Sequence, residues 1–217
     1  KENSRFFTNM DEFAQYEYLT AGKSLHIGQK LYRSRVTPIG QKKIKWDKMG
    51  CPPKELTTAG RANPIGIPYL YLSDSAKTTY FEVRAVYLDK LSVGTFRIEK
   101  DLKLIDFVYD VNLFLSYNDG SVPLKETIIK KKVIEAISSD LSKPLRRYDS
   151  EIEYVPIQLI CEYCRRIVDS EGATADGITF ESSLHKGGRN YVLFDESAAK
   201  CIRVDSHEIT RIDIDRK

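Results

Sequence analysis

A chain of 217 residues with 41% hydrophobic and 30% charged residues has the makings of one compact domain, long enough to bury roughly 70% of its unfolded surface. Its 34 basic and 31 acidic residues leave a formal charge of +3, without the basic stripe that a nucleic-acid surface needs to displace counterions; Lys130-Lys131-Lys132 and Arg146-Arg147 read as solvated surface. No apolar run approaches the roughly 18 residues that span a bilayer, and Lys1-Glu2-Asn3-Ser4-Arg5 has no apolar signal core, so a soluble, cytoplasmic protein is expected, with neither nucleic acid nor membrane as partner.

In chain order, Asn9 or Asp11 can cap a short helix over 9–21, and residues 1–25 read as an N-terminal helical appendage to a catalytic domain over 26–217. Gln29 to Val36 alternates as a strand that sets Arg33 and Arg35 on one face and Tyr32, Ser34 and Val36 on the other. From Pro38 to Pro68 the chain is loop, punctuated by Gly40, Gly50, Pro52-Pro53, Gly60, Pro64 and Gly66, and a loop of this length in a compact domain points to a binding segment. Tyr69 to Leu72 is a short strand, followed from Ser73-Asp74-Ser75 by a capped helix that runs to about Ala85 and carries Glu82.

Val93 to Ile98 and Leu102 to Val108 flank Glu99-Lys100-Asp101 as a predicted hairpin. Pro123 to Leu141 and Val155 to Val168 read as helices, and Gly177 to Glu181 with Arg189 to Phe194 reads as a second hairpin around Lys186-Gly187-Gly188. Cys201 to Val204 and Ile209 to Ile214 add two late strands. Without internal repeats, the order predicts an α+β fold of mixed sheets with packed helices.

Familiar catalytic signatures are missing: the chain has no GxGxxG, Walker loop, HExxH or GxSxG. Three histidines and a single CxxC, Cys161-Glu162-Tyr163-Cys164, make a poor metal set, and the apolar helical spacing around that pair favours buried, reduced thiols; no metal is expected. Chemistry therefore falls to carboxylate, guanidinium and hydroxyl groups.

The ordered segments Leu31-Tyr32-Arg33-Ser34-Arg35, Thr58-Ala59-Gly60-Arg61-Ala62-Asn63-Pro64-Ile65-Gly66-Ile67-Pro68-Tyr69-Leu70-Tyr71-Leu72-Ser73, Glu82, and Gly177-Ile178-Thr179-Phe180-Glu181-Ser182-Ser183 resemble the RES domain, named for its arginine, glutamate and serine. The resemblance spans about residues 31–194. It implies a fold related to ADP-ribosyltransferases and the role of a toxin in a bacterial toxin–antitoxin pair. Such a toxin consumes NAD+ as a substrate, with no retained cofactor, and is held by an antitoxin that carries a helix-turn-helix domain.

Carried over by motif, Arg33, Glu82 and Ser182 become the catalytic set, and Arg61, Tyr71, Tyr32 and Asn63 the substrate-binding set. Arg33 directly follows the aromatic of the Leu-Tyr-Arg pattern, which favours it over Arg35. Ser182 lies two places after Phe180, which favours it over Ser183, although Glu181 stands where the family more often has proline.

The residue types suit the implied chemistry. Breaking the nicotinamide–ribose bond develops positive charge on the ribose, which a carboxylate such as Glu82 stabilises. A guanidinium grips two phosphate oxygens in a fixed fork, a role for Arg33 and Arg61. Tyr71 and Ser182 are suited to orienting the nicotinamide or the ribose. Three readings stay open: NAD+ hydrolysis or phosphorolysis, mono-ADP-ribosylation of a protein, and a non-catalytic nucleotide- or partner-binding module. Both monomer and homo-oligomer are compatible with the sequence.

Overall fold

The computed structural model describes residues 22–108, 124–143, 151–168 and 172–211. The expected helix over 9–21, the Arg146-Arg147 pair and the end of the expected strand over 209–214 lie outside these residues. Among the described residues eight strands form one mixed sheet: β1 (Lys23–Leu25), β2 (Lys30–Val36), β3 (Leu70–Ser73), β4 (Lys90–Ile98), β5 (Leu102–Asp106), β6 (Gly177–Glu181), β7 (Arg189–Leu193) and β8 (Ala199–Glu208), in the order β1-β5-β6-β7-β3-β2-β4-β8. Among the described residues three α-helices accompany it: α1 (Ala76–Glu82), α2 (Leu124–Ser142) and α3 (Val155–Cys164). The sheet begins before residue 26, since Lys23 to Leu25 pair with Leu102 to Leu104 of β5.

Alternation along the strands sends side chains into two apolar clusters. Ile105, Ile178, Phe180 and Val192 face α2 and α3, which contribute Ile134, Ile137, Leu141, Ile157, Cys161 and Cys164. The intervening residues Leu104, Tyr191 and Leu193 join Leu25, Leu31, Leu70, Leu72, Phe96, Ile98 and Val204 on the opposite face. Because β1 and β8 stand at the two ends of the strand order yet share this second cluster, the sheet is strongly curved around it.

Two expected pairings are corrected. The Glu99-Lys100-Asp101 segment does not close a hairpin: β4 pairs with β2 along one edge and β8 along the other, while β5 pairs with β1 and, in parallel, with β6. A strand has only two hydrogen-bonding edges, and both edges of β4 are taken by partners distant in sequence. The first late strand is longer than expected, running over Ala199–Glu208 rather than 201–204. A register shift opposite Thr95/Phe96 leaves Ile202 without a partner, and β8 continues past this bulge to Glu208. Residues 209–211 are not strand. The hairpin of β6 and β7 forms as expected, with Ile178 opposite Val192.

The cysteines behave as core atoms. Cys161, Cys164 and Cys201 are buried, Cys51 is half-buried, and all four are free thiols. Burial pushes every one of these thiols up, to about 12 for Cys51 and Cys164. Among the described residues no group of three or more His, Cys, Asp or Glu is placed to hold a metal. Since the thiolate is the reactive form, alkylation of the native protein at pH 8 is expected to be slow at all four positions and complete on unfolding. Mass spectrometry before and after denaturant checks this; rapid native labelling of Cys161 or Cys164 contradicts it.

Candidate active site

Strands β2 and β3 are neighbours that barely pair. Tyr32 opposite Ser73 is their single register pair, whereas β2 matches β4 over seven positions. Beyond that pair the strands part, and a cavity of about 280 Å³ opens between them and α1. Its walls include Tyr32, Arg33 and Ser34 of β2, Tyr71 and Ser73 of β3, Gly60 and Arg61 of the long loop, Thr79 and Glu82 of α1, and Phe180 and Asn190 of the β6–β7 hairpin. Five of the seven expected site residues, Tyr32, Arg33, Arg61, Tyr71 and Glu82, line this space, and the other two each bond a lining side chain, Ser182 that of Glu82 and Asn63 that of Tyr71.

Glu82 is the last residue of α1, which Ser75 caps by accepting from the Thr78 amide and which ends at the left-handed Arg84 (φ 51°). The helix is thus shorter than the run to Ala85 expected from sequence. An anion at a helix C-terminus works against the helix dipole, so donors must hold it. Ser182 Oγ donates to Glu82 Oε1 at 2.7 Å, and Asn190 Nδ2 donates to the same oxygen at 2.8 Å. Asn190 is itself fixed by Ser73 Oγ, which donates to its Oδ1 at 2.8 Å. Ser182, Asn190 and Ser73 are all buried. Among the described residues no hydrogen bond ends on Glu82 Oε2, which leaves that oxygen for a ligand. On β2, Ser34 bonds Thr79 of α1 at 2.5 Å and so fixes the helix against the parted strands.

Ser182 and Ser183 separate cleanly. Ser183 Oγ donates to the Ser142 carbonyl at the end of α2, away from the carboxylate, whereas Ser182 reaches Glu82. Arg33 and Arg35 separate as well. Arg33 Nη1 donates to the Tyr71 carbonyl at 3.3 Å, bridging the gap where β3 has left β2. Arg35 turns to the Gly50 carbonyl at 2.6 Å and is not part of the cavity wall. Burial, and then the neighbouring Arg35 cation, lower the Arg33 pKa to about 10. Arg33 therefore stays charged near neutrality, next to a second cation and with no ion pair among the described residues, an arrangement that favours an anionic ligand.

The loop arginine has a double position. Arg61 lines the cavity, but its Nη1 also donates to the carbonyls of Leu141 and Ser142 at 3.0 and 3.3 Å, at the C-terminal end of α2. Asn63 serves the loop rather than the cavity. Its Nδ2 donates to the Thr58 and Pro64 carbonyls and its Oδ1 accepts from Tyr71 Oη, so its side chain is consumed internally. Tyr71 lines the cavity, but its hydroxyl is committed: it donates to Asn63 Oδ1 at 2.7 Å and accepts from the Ala62 amide at 3.0 Å. Burial raises this phenol.

Gly60 is required by this same knot. A Cβ there would fall 2.4 Å from Asn63 Oδ1 and 2.8 Å from Tyr71 Oη, so the glycine admits its own loop rather than a ligand. Tyr71→Phe is expected to cost about 1–3 kcal/mol by stranding the buried Ala62 amide, read as a lowered unfolding midpoint. An unchanged midpoint would contradict the knot.

Three contributors were not anticipated. Asn190 carried a signal: it shares a strand face with Val192, and a polar residue at a core-facing position asks for a partner. Ser73 follows the strand motif directly. Gln158 of α3, whose Nε2 donates to the Gly60 and Asn63 carbonyls at 2.7 and 3.0 Å, gave no signal, because its contact spans more than ninety residues of chain.

No curated protein and no solved structure matches this chain. A family model does: RES domain, over residues 30–214. That match takes in every strand from β2 to β8, all three helices and the whole cavity wall, and the chain belongs to the RES domain family.

Proposed function

We propose that the protein cleaves the nicotinamide–ribose bond of NAD+, using a cleft like that of ADP-ribosyltransferases. The observation that carries this reading is Glu82, a carboxylate oriented through one oxygen by Ser182 and Asn190 and sharing a cavity with the Arg33 cation. Nicotinamide leaves with the bonding electron pair and becomes neutral, so positive charge develops at the ribose anomeric carbon. Glu82 stabilises that charge, and a fixed donor set spares the site the reorganisation that water would need. Arg33 holds the diphosphate, Tyr32 and Tyr71 supply ring faces, and Arg61 adds charge at the loop.

Water as acceptor gives ADP-ribose and a proton; phosphate gives the ADP-ribose phosphoester. Incubation with NAD+ labelled in its adenylate half, with and without phosphate, tests this reading. Label is expected in a free small product. Label on a macromolecule would mark a mono-ADP-ribosyltransferase, and saturable binding with intact NAD+ would mark a binding module and end the proposal. NAD+ depletion is the activity of a toxin, and a toxin of this kind acts with an antitoxin. The loop over 38–68 gives Gly60 and Arg61 to the cavity wall and exposes Ile39, Trp46, Leu56 and Ile65, apolar side chains for that partner to cover. A complex that leaves the loop free would refute this docking site.

A further inference from the structure

The turn that carries Ser182 is held onto α1 by a side chain the proposed chemistry does not use. The His185 ring lies parallel to the Phe81 ring, with centroids 5.1 Å apart and planes 4° apart. Its Nδ1 is 3.0 Å from Thr78 Oγ1, and its backbone N–H donates to Ser182 Oγ at 3.1 Å. Phe81 and Thr78 lie on α1 one and four residues before Glu82, so both contacts bear on the helix end that presents the carboxylate.

Counting protons fixes which way the Thr78 contact runs. Thr78 Oγ1 has one hydrogen, and it goes to Asp74 Oδ1 at 2.7 Å. Ser75 Oγ already accepts from the Thr78 amide and lies 2.9 Å from Thr78 Oγ1, which, with its hydrogen spent on Asp74, takes part in that contact only as acceptor. The remaining lone pair of Thr78 Oγ1 faces His185 Nδ1, which must donate. Gly188 closes the same turn: a Cβ there would fall 2.7 Å from Thr78 Oγ1 and 2.8 Å from His185 Nδ1. The turn fits α1 only with glycine at 188.

We propose that His185 is a positioning residue: as the Nδ1–H tautomer it clamps the 182–188 turn onto α1 and so sets Ser182 against Glu82. The catalytic consequence rests on the NAD+ reading, whereas the clamp itself does not, and two measurements keep them apart. Long-range proton–nitrogen spectra of the imidazoles, with only His26 and His207 as other signals, are expected to show neutral His185 as Nδ1–H. Thr78→Val should return it to the Nε2–H form that free histidine prefers. Wild-type His185 found as Nε2–H overturns the clamp.

The second measurement is NAD+ turnover. Asparagine can place an N–H where Nδ1 stands and glutamine cannot. H185N is therefore expected to keep kcat within about threefold of wild type, while H185Q loses about tenfold, with KM moving by no more than about twofold. Equal loss in both variants, no loss in either, or a loss confined to KM would overturn the positioning role. If the wild-type protein leaves NAD+ intact, the NAD+ reading fails and the tautomer alone decides the clamp.

Discussion

Glu82→Gln is expected to lower the kcat of NAD+ cleavage by about 10²–10³-fold, with little change in KM. Glutamine keeps an acceptor for Ser182 Oγ and Asn190 Nδ2, so the local packing survives. What it removes is the negative charge, which matters only as the ribose becomes cationic. The loss should therefore fall on the transition state and not on substrate binding. An unfolding midpoint close to wild type would show that the fold is intact. A rate within a few-fold of wild type would mean that the carboxylate does not stabilise the reacting centre.

Arg33→Ala is the second large effect, with kcat/KM expected to fall about a hundredfold, as for loss of a charged hydrogen-bonded contact of about 3 kcal/mol. Part of the loss is structural, since Arg33 also bridges β2 to the Tyr71 carbonyl. Arg33→Lys separates the two contributions. The surroundings that depress the arginine to about 10, burial first and then Arg35, act on any cation placed there. Lysine starts about two units lower, so it should lose its proton at a pH where arginine remains charged. Activity of the lysine variant is expected to fall as pH rises through the mildly alkaline range, while wild-type activity holds. Parallel pH profiles would show that the charge at position 33 is not used.

How much of this was legible in the sequence depends on the distance over which each contact acts. Local signals held: the alternation of Lys30–Val36, the Ser75 cap and the β6–β7 hairpin all follow from neighbours a few residues apart. Pairing failed where the competitor was remote, as when β8 took the edge of β4 that Leu102–Asp106 would have needed. The site divides in the same way. Glu82 and Ser182 were named from motif order alone, and the structure brings them together through a bond that spans a hundred residues no spacing rule could join.

Asn63 shows the limit of motif order in another way. It stands in the most motif-rich segment, yet its amide is occupied within the loop by the Thr58 and Pro64 carbonyls and the Tyr71 hydroxyl. Arg61 is intermediate, with one nitrogen on the end of α2 and its body on the cavity wall. The parted strands themselves were invisible. Nothing in Leu70–Ser73 says that it will pair fully with β7 but touch β2 at one residue, and that imbalance is what opens the cavity.

The proposed cleavage of NAD+ rests on one carboxylate, Glu82, held by Ser182 and Asn190. The most direct measurement is the release of nicotinamide from NAD+ by the purified wild-type chain beside its Glu82→Gln variant. Steady release by the wild type, reduced at least a hundredfold in the variant, is the predicted result; intact NAD+ with the wild type, or equal release by both proteins, would contradict it.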